Sequence, residues 1–184
     1  MPLRPLHLPA ALTPEECARL RAMAAAAGLR PGGLVGGVAG GDIRRAELVW
    51  VDDLPDAAWA GERLAAIVAR ANRDSFGFDL TDFAESAQIA RYRAEGQGHF
   101  HWHGDVGQGP AAARRKLTVV VQLSPPGDYA GGVLETWGNA EPQAHPRSEG
   151  DAMVFPSFLL HRVTPVTDGV RWSLTQWVHG PAFQ

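Results

Sequence analysis

Three imidazoles and a carboxylate alternate along His99-Phe100-His101-Trp102-His103-Gly104-Asp105. As a β-strand the run sets His99, His101, His103 and Asp105 on one face and Phe100 and Trp102 on the other, because strand side chains alternate with a period of two. So many ionisable groups on one ridge are costly to bury alone, and a metal ion is a partner that suits them. The tightest unit is His103-Gly104-Asp105, a neutral nitrogen donor and an anionic oxygen donor within reach of one ion, with Gly104 supplying the turn between them. Two ligands hold a metal poorly, so a third must come from far along the chain. His161, in Leu160-His161-Arg162-Val163, is the best candidate. Two histidines and a carboxylate on one side of an ion form the facial triad, which leaves the opposite positions open and suits non-haem Fe(II) oxygen chemistry. Beyond His161, the alternating run Arg171-Trp172-Ser173-Leu174-Thr175 puts Arg171 and Ser173 on a shared face. A guanidinium fork beside a hydroxyl is a receptor for a carboxylate.

The ordered set His103-x-Asp105, His161 and Arg171-x-Ser173 resembles that of the Fe(II)- and 2-oxoglutarate-dependent dioxygenases, and within them the prolyl-4-hydroxylase-like branch with its PKHD-type bacterial members. Further pieces match in order: Ala90-Arg91-Tyr92, Arg115-x-x-Thr118, Gly131-Gly132-x-Leu134-Glu135, and Leu160 through Val166. The likeness runs from about residue 88 to about residue 180, half the chain. It implies Fe(II) held by His103, Asp105 and His161, with 2-oxoglutarate as co-substrate, O2 as oxidant and ascorbate as an optional addition. It implies too that the distal carboxylate of 2-oxoglutarate lies against Arg171, that Ser173 or Thr118 adds a hydrogen bond, that Tyr92 contacts the co-substrate and that Leu134 forms an apolar wall. The activity implied is hydroxylation of an unactivated C–H bond, with release of succinate and CO2. The substrate is an amino-acid, peptidyl (prolyl among them) or small-metabolite molecule, and the letters do not choose between these. Two rival readings stand beside it: a cupin-type metal dioxygenase that does not use 2-oxoglutarate, and a non-catalytic jelly-roll binding module. Against the cupin, no glutamate follows His103 at the required distance, and the second motif lacks its closing asparagine.

Other residues near this set carry weaker signals. His99 and His101 either line the substrate entrance or sit on the rim. Trp137 and Trp177 either form an aromatic wall for substrate or belong to the core. Arg114-Arg115-Lys116 reads as a solvated turn, and His7, His145 and His179, which carry no motif, read as surface residues.

The elements that must position these groups fall into two halves. Leu6–Leu8 reads as a short strand. Thr13-Pro14-Glu15-Glu16 reads as a helix start, with an N-cap threonine, proline at the first helical position and glutamate at the third, and Gly28 as the stop. Residues 28–41 hold seven glycines without the Lys-Ser/Thr ending of a phosphate loop, and read either as a connector or as a lid over substrate. A strand over Arg44–Val51 and a helix over Asp56–Asn72 follow, the helix marked by Leu64, Ile67, Val68 and Ala71. Asp74–Asp82 reads as a loop in which Phe76 and Phe78 anchor to the core. From Gln88 on the pattern is strand after strand: Gln88–Tyr92, Gly98–His103, Lys116–Leu123, Val133–Thr136, Ala152–Phe155, His161–Val163 and Arg171–Val178. Helices first and strands afterwards give a mostly β fold with supporting N-terminal helices, a double-stranded β-helix or jelly roll. It forms a single domain over 1–184, with helical support and the glycine-rich loop in 1–87 and the jelly-roll core over about 88–180. On strict alternation, Phe100 and Trp102 turn away from the site and the two helices cover them.

The composition narrows the partners. A net charge of −3 gives no electrostatic case for nucleic acid. No run of apolar residues is long enough to span a membrane, and the proline-broken N-terminus lacks a signal-peptide core. Cys17 stands alone, which excludes an internal disulfide and points to a reducing, cytoplasmic location. The partner expected is a small-molecule or peptide substrate, and the sequence sets no oligomeric state.

Overall fold

The computed structural model describes residues 4–32, 43–138 and 140–183. The glycine-rich stretch read above as connector or lid falls mostly on 33–42 and so lies outside the described residues. After β1 (Leu6–Leu8), α1 (Pro14–Ala27) starts as its residues dictate. The Glu16 N–H donates to Thr13 Oγ1 at 3.2 Å, and the Thr13 N–H donates to Glu16 Oε2 at 2.8 Å. A second helix, α2 (Ala58–Ala71), buries the stripe Leu64, Ile67, Val68 and Ala71. It runs on into a π-type turn over Asn72–Phe76, so the loop read from Asp74 begins as distorted helix; Phe76 and Phe78 are half-buried against the core. Among the described residues no helix is long and apolar enough to cross a membrane.

The strand read over Arg44–Val51 is in fact two. After β2 (Arg30–Pro31) come β3 (Arg44–Arg45) and β4 (Glu47–Trp50), which belong to different sheets, and Val51 opens a short 3-10 turn. The chain changes sheets at Ala46, the corner a strand makes when it bends between two layers. The remaining strands are β5 (Gln88–Arg93), β6 (His99–His103), β7 (Arg115–Gln122), β8 (Tyr129–Gly131), β9 (Leu134–Trp137), β10 (Pro142–Ala144), β11 (Ala152–Pro156), β12 (His161–Val163) and β13 (Val166–His179). The sequence reading missed β2, β8 and β10, which are too short to show an alternating pattern.

The larger sheet runs β1-β11-β7-β13-β5-β4-β2, with β8 paired to β13 off that path, and the smaller runs β10-β9-β12-β6-β3. Both are antiparallel and open, the two halves of a jelly roll. Alternation divides the large sheet's side chains between two cores. Ile89, Leu117, Val119, Val121 and Leu174 pack against the helices, while Ala90, Tyr92, Val120 and Phe155 face Leu134 and Val163 of the small sheet. The helices therefore cover the back of the large sheet and not Phe100 and Trp102. The site lies between the sheets.

Candidate active site

β6 and β12 are neighbours, and their pairing carries a bulge. His161 lies opposite His103 and Val163 opposite Phe100, so three steps along β6 match two along β12. An extra residue resets side-chain parity. Phe100 and His103 thus both line the cavity between the sheets, where strict alternation would part them. The Phe100 ring stacks on the His103 imidazole, with centroids 3.5 Å and planes 15° apart. His99 and His101 fall outside the cavity lining, their rings 4.5 Å from each other; His99 is buried with Nδ1 against Gln97 O at 2.7 Å, and His101 is exposed. Trp102 meets Trp137 edge to face, and Arg162 lies over the Trp102 ring. Trp137 is exposed and takes no part in the cavity, whereas Trp177 is buried and lines it.

β6 ends at His103, and Asp105 sits in the following loop, its N–H donating to Ser157 O at 2.7 Å. Gly104 is not among the glycines with positive φ, so the turn does not demand glycine as the sequence reading supposed. Two further groups fix Asp105. Thr118 Oγ1 donates to its Oδ2 at 2.7 Å, and the buried Arg115 donates from Nη1 to its carbonyl at 3.0 Å. Thr118, expected beside the co-substrate, is therefore hydrogen-bonded to the triad carboxylate.

His103, Asp105 and His161 each bring a donor atom within 4.8 Å of the other two. His103 Nε2 lies 3.6 Å from Asp105 Oδ1, and His161 Nε2 lies 3.4 Å from Asp105 Oδ2. Both imidazoles have their other nitrogen committed: Nδ1 of His103 lies 2.7 Å from His101 O, and Nδ1 of His161 lies 3.0 Å from Leu159 O. A carbonyl only accepts, so both Nδ1 atoms carry the proton and both Nε2 lone pairs face the carboxylate, the tautomer a metal requires. Burial, with the neighbouring His161 acting in the same direction, pushes the His103 imidazole down to about 4. Burial pushes the Asp105 carboxyl up, but His161, His103, the Thr118 hydrogen bond and Arg115 outweigh it and hold it below its ordinary value. A neutral imidazole beside an anionic carboxylate is the protonation state a divalent cation needs.

His145, read from the sequence as a surface residue, is buried against Thr136 Oγ1 at 2.8 Å, and burial pushes it too down to about 4. Unfolded imidazoles take up a proton near 6.5, so between pH 6.5 and 4 protons favour the unfolded chain. The stability these two histidines contribute is complete above pH 6.5 and is lost as pH falls toward 4. The thermal midpoint of the metal-free protein, followed by circular dichroism, accordingly drops by several degrees across that window, and His145→Gln flattens the drop.

Arg171, Ser173, Thr175 and Trp177 alternate along β13 and point into the same cavity. Arg171 has no solvent exposure at all, yet Nε and Nη2 have no hydrogen-bond partner, and Nη1 reaches only Ser173 Oγ at 3.5 Å. Tyr92 lies beneath the guanidinium at 5.2 Å, and Leu134 closes the apolar side. A buried cation with no anion costs several kcal/mol, so this pocket is built for an anionic ligand that reaches it. Gly132, quoted from the sequence only as part of a motif, makes room for the arginine: its φ is +59°, and a Cβ there would stand 2.9 Å from Arg171 Cδ and 3.0 Å from Val166 Cγ2. Gly132→Ala is expected to cost roughly 1–3 kcal/mol of stability by urea unfolding and to weaken 2-oxoglutarate binding by displacing the guanidinium.

A second set also escaped the sequence reading. Glu85 accepts from Arg115 through both carboxylate oxygens, at 2.6 and 2.5 Å, and from His179 Nε2 at 3.0 Å. The Ala84 N–H donates to His179 Nδ1, which leaves the imidazole proton on Nε2. Arg115, Lys116 and His179 are thus buried, not part of a solvated turn or surface, and Nε2 of the half-buried His7 lies 2.7 Å from Asp151 Oδ2. Positions 85, 115 and 179 come from three separate segments, and no local pattern links them.

Comparison with known proteins agrees with this geometry. The family model of the 2OG-Fe(II) oxygenase superfamily matches residues 87–179. The PKHD-type hydroxylase YbiX of Escherichia coli (strain 55989 / EAEC) is 30% identical over 177 residues, which cover 94% of this chain and 76% of that protein. Two solved structures share the fold at a TM-score of 0.76. One is a Pseudomonas putida prolyl-4-hydroxylase, 22% identical, over 97% of this chain and 94% of that one. The other is a Trichoplax adhaerens prolyl hydroxylase in complex with a hypoxia inducible factor oxygen degradation domain peptide fragment, 18% identical, over 95% and 83%. With the family model spanning half its length and a 30% identical PKHD-type relative aligned over 94% of it, this chain belongs to the 2OG-Fe(II) oxygenase superfamily and is a hydroxylase that uses Fe(II), 2-oxoglutarate and O2.

Proposed function

We propose that His103, Asp105 and His161 hold Fe(II), and that Arg171 and Ser173 bind the distal carboxylate of 2-oxoglutarate against Tyr92 and Leu134. One observation carries the proposal: a fully buried guanidinium with two unpartnered nitrogens lines the same cavity as the three converging donors. When bound, iron and 2-oxoglutarate would supply the oxidation of a C–H bond to C–OH by O2, one oxygen atom going to the product and the other to succinate as CO2 is released. The protein's part is positional. The two Nδ1–H···O=C bonds orient the imidazoles, Thr118 and Arg115 hold the Asp105 loop, and Arg171 sets which end of the keto acid faces the triad. The catalytic domain spans the chain, and a reducing, cytoplasmic setting is part of the proposal, supported by the one cysteine, Cys17, being buried. A substrate chosen among amino acids, peptidyl residues and small metabolites is consistent with the family's range.

Adding Fe(II) and 2-oxoglutarate to the purified protein in air should release succinate slowly even without substrate, as measured by chromatography. Succinate absent under all conditions would favour a binding module, and oxidation that proceeds without 2-oxoglutarate would favour the cupin chemistry.

A further inference from the structure

The cavity beside the triad opens into a groove of about 870 Å³. Arg44, Gln88, Phe100, Asp105 and Trp177 line both spaces and so mark where a molecule held in the groove meets the reacting centre. Most of the charge here is already balanced. Arg115 on the groove wall is held by both oxygens of Glu85. Arg44 is different. It is half-buried, its Nη2 donates to the neutral Gln88 Oε1 at 2.6 Å, and its guanidinium lies over the Phe100 ring at 4.6 Å. Its Nε is buried without a partner, and no carboxylate among the described residues pairs with it. The indole N–H of Trp177, which lines the same two spaces from β13 of the larger sheet, is also buried without a partner. Buried donors with no acceptor are costly, so two lining one channel indicate a ligand that supplies the acceptor.

The charge count identifies that acceptor. Ferrous iron, anionic Asp105, Arg171 and doubly charged 2-oxoglutarate together leave the cavity neutral, with both histidines uncharged. Of the charged described residues that line both spaces, Asp105 is already in that sum, which leaves the guanidinium of Arg44 uncancelled; Arg30 and Asp53, which line only the groove, are exposed and opposite in sign. We propose that Arg44 and Trp177 form a subsite for a carboxylate of the primary substrate, so that the molecule hydroxylated is an acid. The inference rests on the iron and 2-oxoglutarate sites proposed above. A planar guanidinium and an N–H donor that line one cavity suit the two oxygens of a carboxylate. Trp50, 6.5 Å from Trp177 between ring centroids, lies beside it on the groove wall and offers an apolar face to the body of the same molecule. The carboxylate is either the α-carboxylate of an amino acid or chain end, or an acidic side chain.

The test is calorimetric titration of the protein loaded with 2-oxoglutarate and the redox-inert Zn(II). N-acetyl-L-proline against N-acetyl-L-prolinamide presents the carboxylate at a chain end. N-acetyl-L-glutamate α-amide against N-acetyl-L-glutamine amide presents it on a side chain. In at least one pair the acid is expected to bind about tenfold or more tightly than its amide, the scale of a charge-assisted hydrogen bond. Arg44→Gln abolishes the difference, and Trp177→Phe, which keeps the ring and removes the N–H, reduces it. Equal or absent binding of acid and amide in both pairs overturns the subsite, as does an Arg44→Gln protein that loses affinity for 2-oxoglutarate and not for the acid. Succinate release without substrate, measured on the unaltered iron-loaded protein, separates the two proposals: if it persists while the subsite test fails, only the subsite is lost.

Discussion

Asp105→Ala is expected to abolish turnover and to weaken Fe(II) binding by more than about a hundredfold, since the loss of an outer partner alone typically costs ten- to a hundredfold. The reason is electrostatic as much as geometric. Asp105 is the one anion among the three converging donors, and its carboxylate faces Nε2 of both histidines. Without it, two neutral imidazoles face a divalent cation with nothing to balance its charge. Thr118→Val gives the graded comparison, because it removes the 2.7 Å hydrogen bond to Asp105 Oδ2 and leaves the ligand in place. Its metal affinity should fall between wild type and Asp105→Ala. Anaerobic Fe(II) titration reads both variants, and an Asp105→Ala protein that still bound iron at wild-type affinity would remove the carboxylate from the account.

Arg171→Met is expected to raise the dissociation constant for 2-oxoglutarate by roughly a hundredfold, about 3 kcal/mol, the usual cost of stripping one partner from a buried ion pair. The same change has a second, opposite consequence. In the ligand-free protein the guanidinium is fully buried without an anion, and methionine fills comparable space without that cost. The thermal midpoint of ligand-free Arg171→Met should therefore equal or exceed that of wild type. 2-Oxoglutarate should raise the midpoint of wild type but not of the variant, because only a ligand that binds the folded state stabilises it. Thermal scans with and without the keto acid check both signs. A variant that unfolds more easily yet binds 2-oxoglutarate normally would make Arg171 a structural residue.

The candidate triad and the arginine beside it were legible in the sequence because these residues carry rare chemistry at fixed spacing along strands. His103-x-Asp105 and Arg171-x-Ser173 state their own faces, and β12 at His161–Val163 matches its expected bounds. The capping box of α1 was equally local, since Thr13 and Glu16 satisfy each other's N–H groups within one turn. What the sequence hid was non-local or one residue long. A bulge in β6 is a pairing property, visible only beside β12, yet it turns Phe100 toward the site and leaves His99 and His101 off it. Arg115 looked like part of a solvated basic cluster because its partner Glu85 is remote in sequence and His179 more so. Gly132 was quoted as part of a motif, but its contact with Arg171 exists only once β13 has folded beside it. The division of Arg44–Trp50 between two sheets likewise depends on neighbours that the run itself does not name.

The most direct test is anomalous X-ray scattering at the iron edge from crystals grown without oxygen in Fe(II) and 2-oxoglutarate. The account predicts one peak within about 2.2 Å of Nε2 of His103, Nε2 of His161 and a carboxylate oxygen of Asp105, with the keto acid running from that peak to the Arg171 guanidinium. A peak elsewhere, or a keto acid whose far end lies away from Arg171, would contradict it.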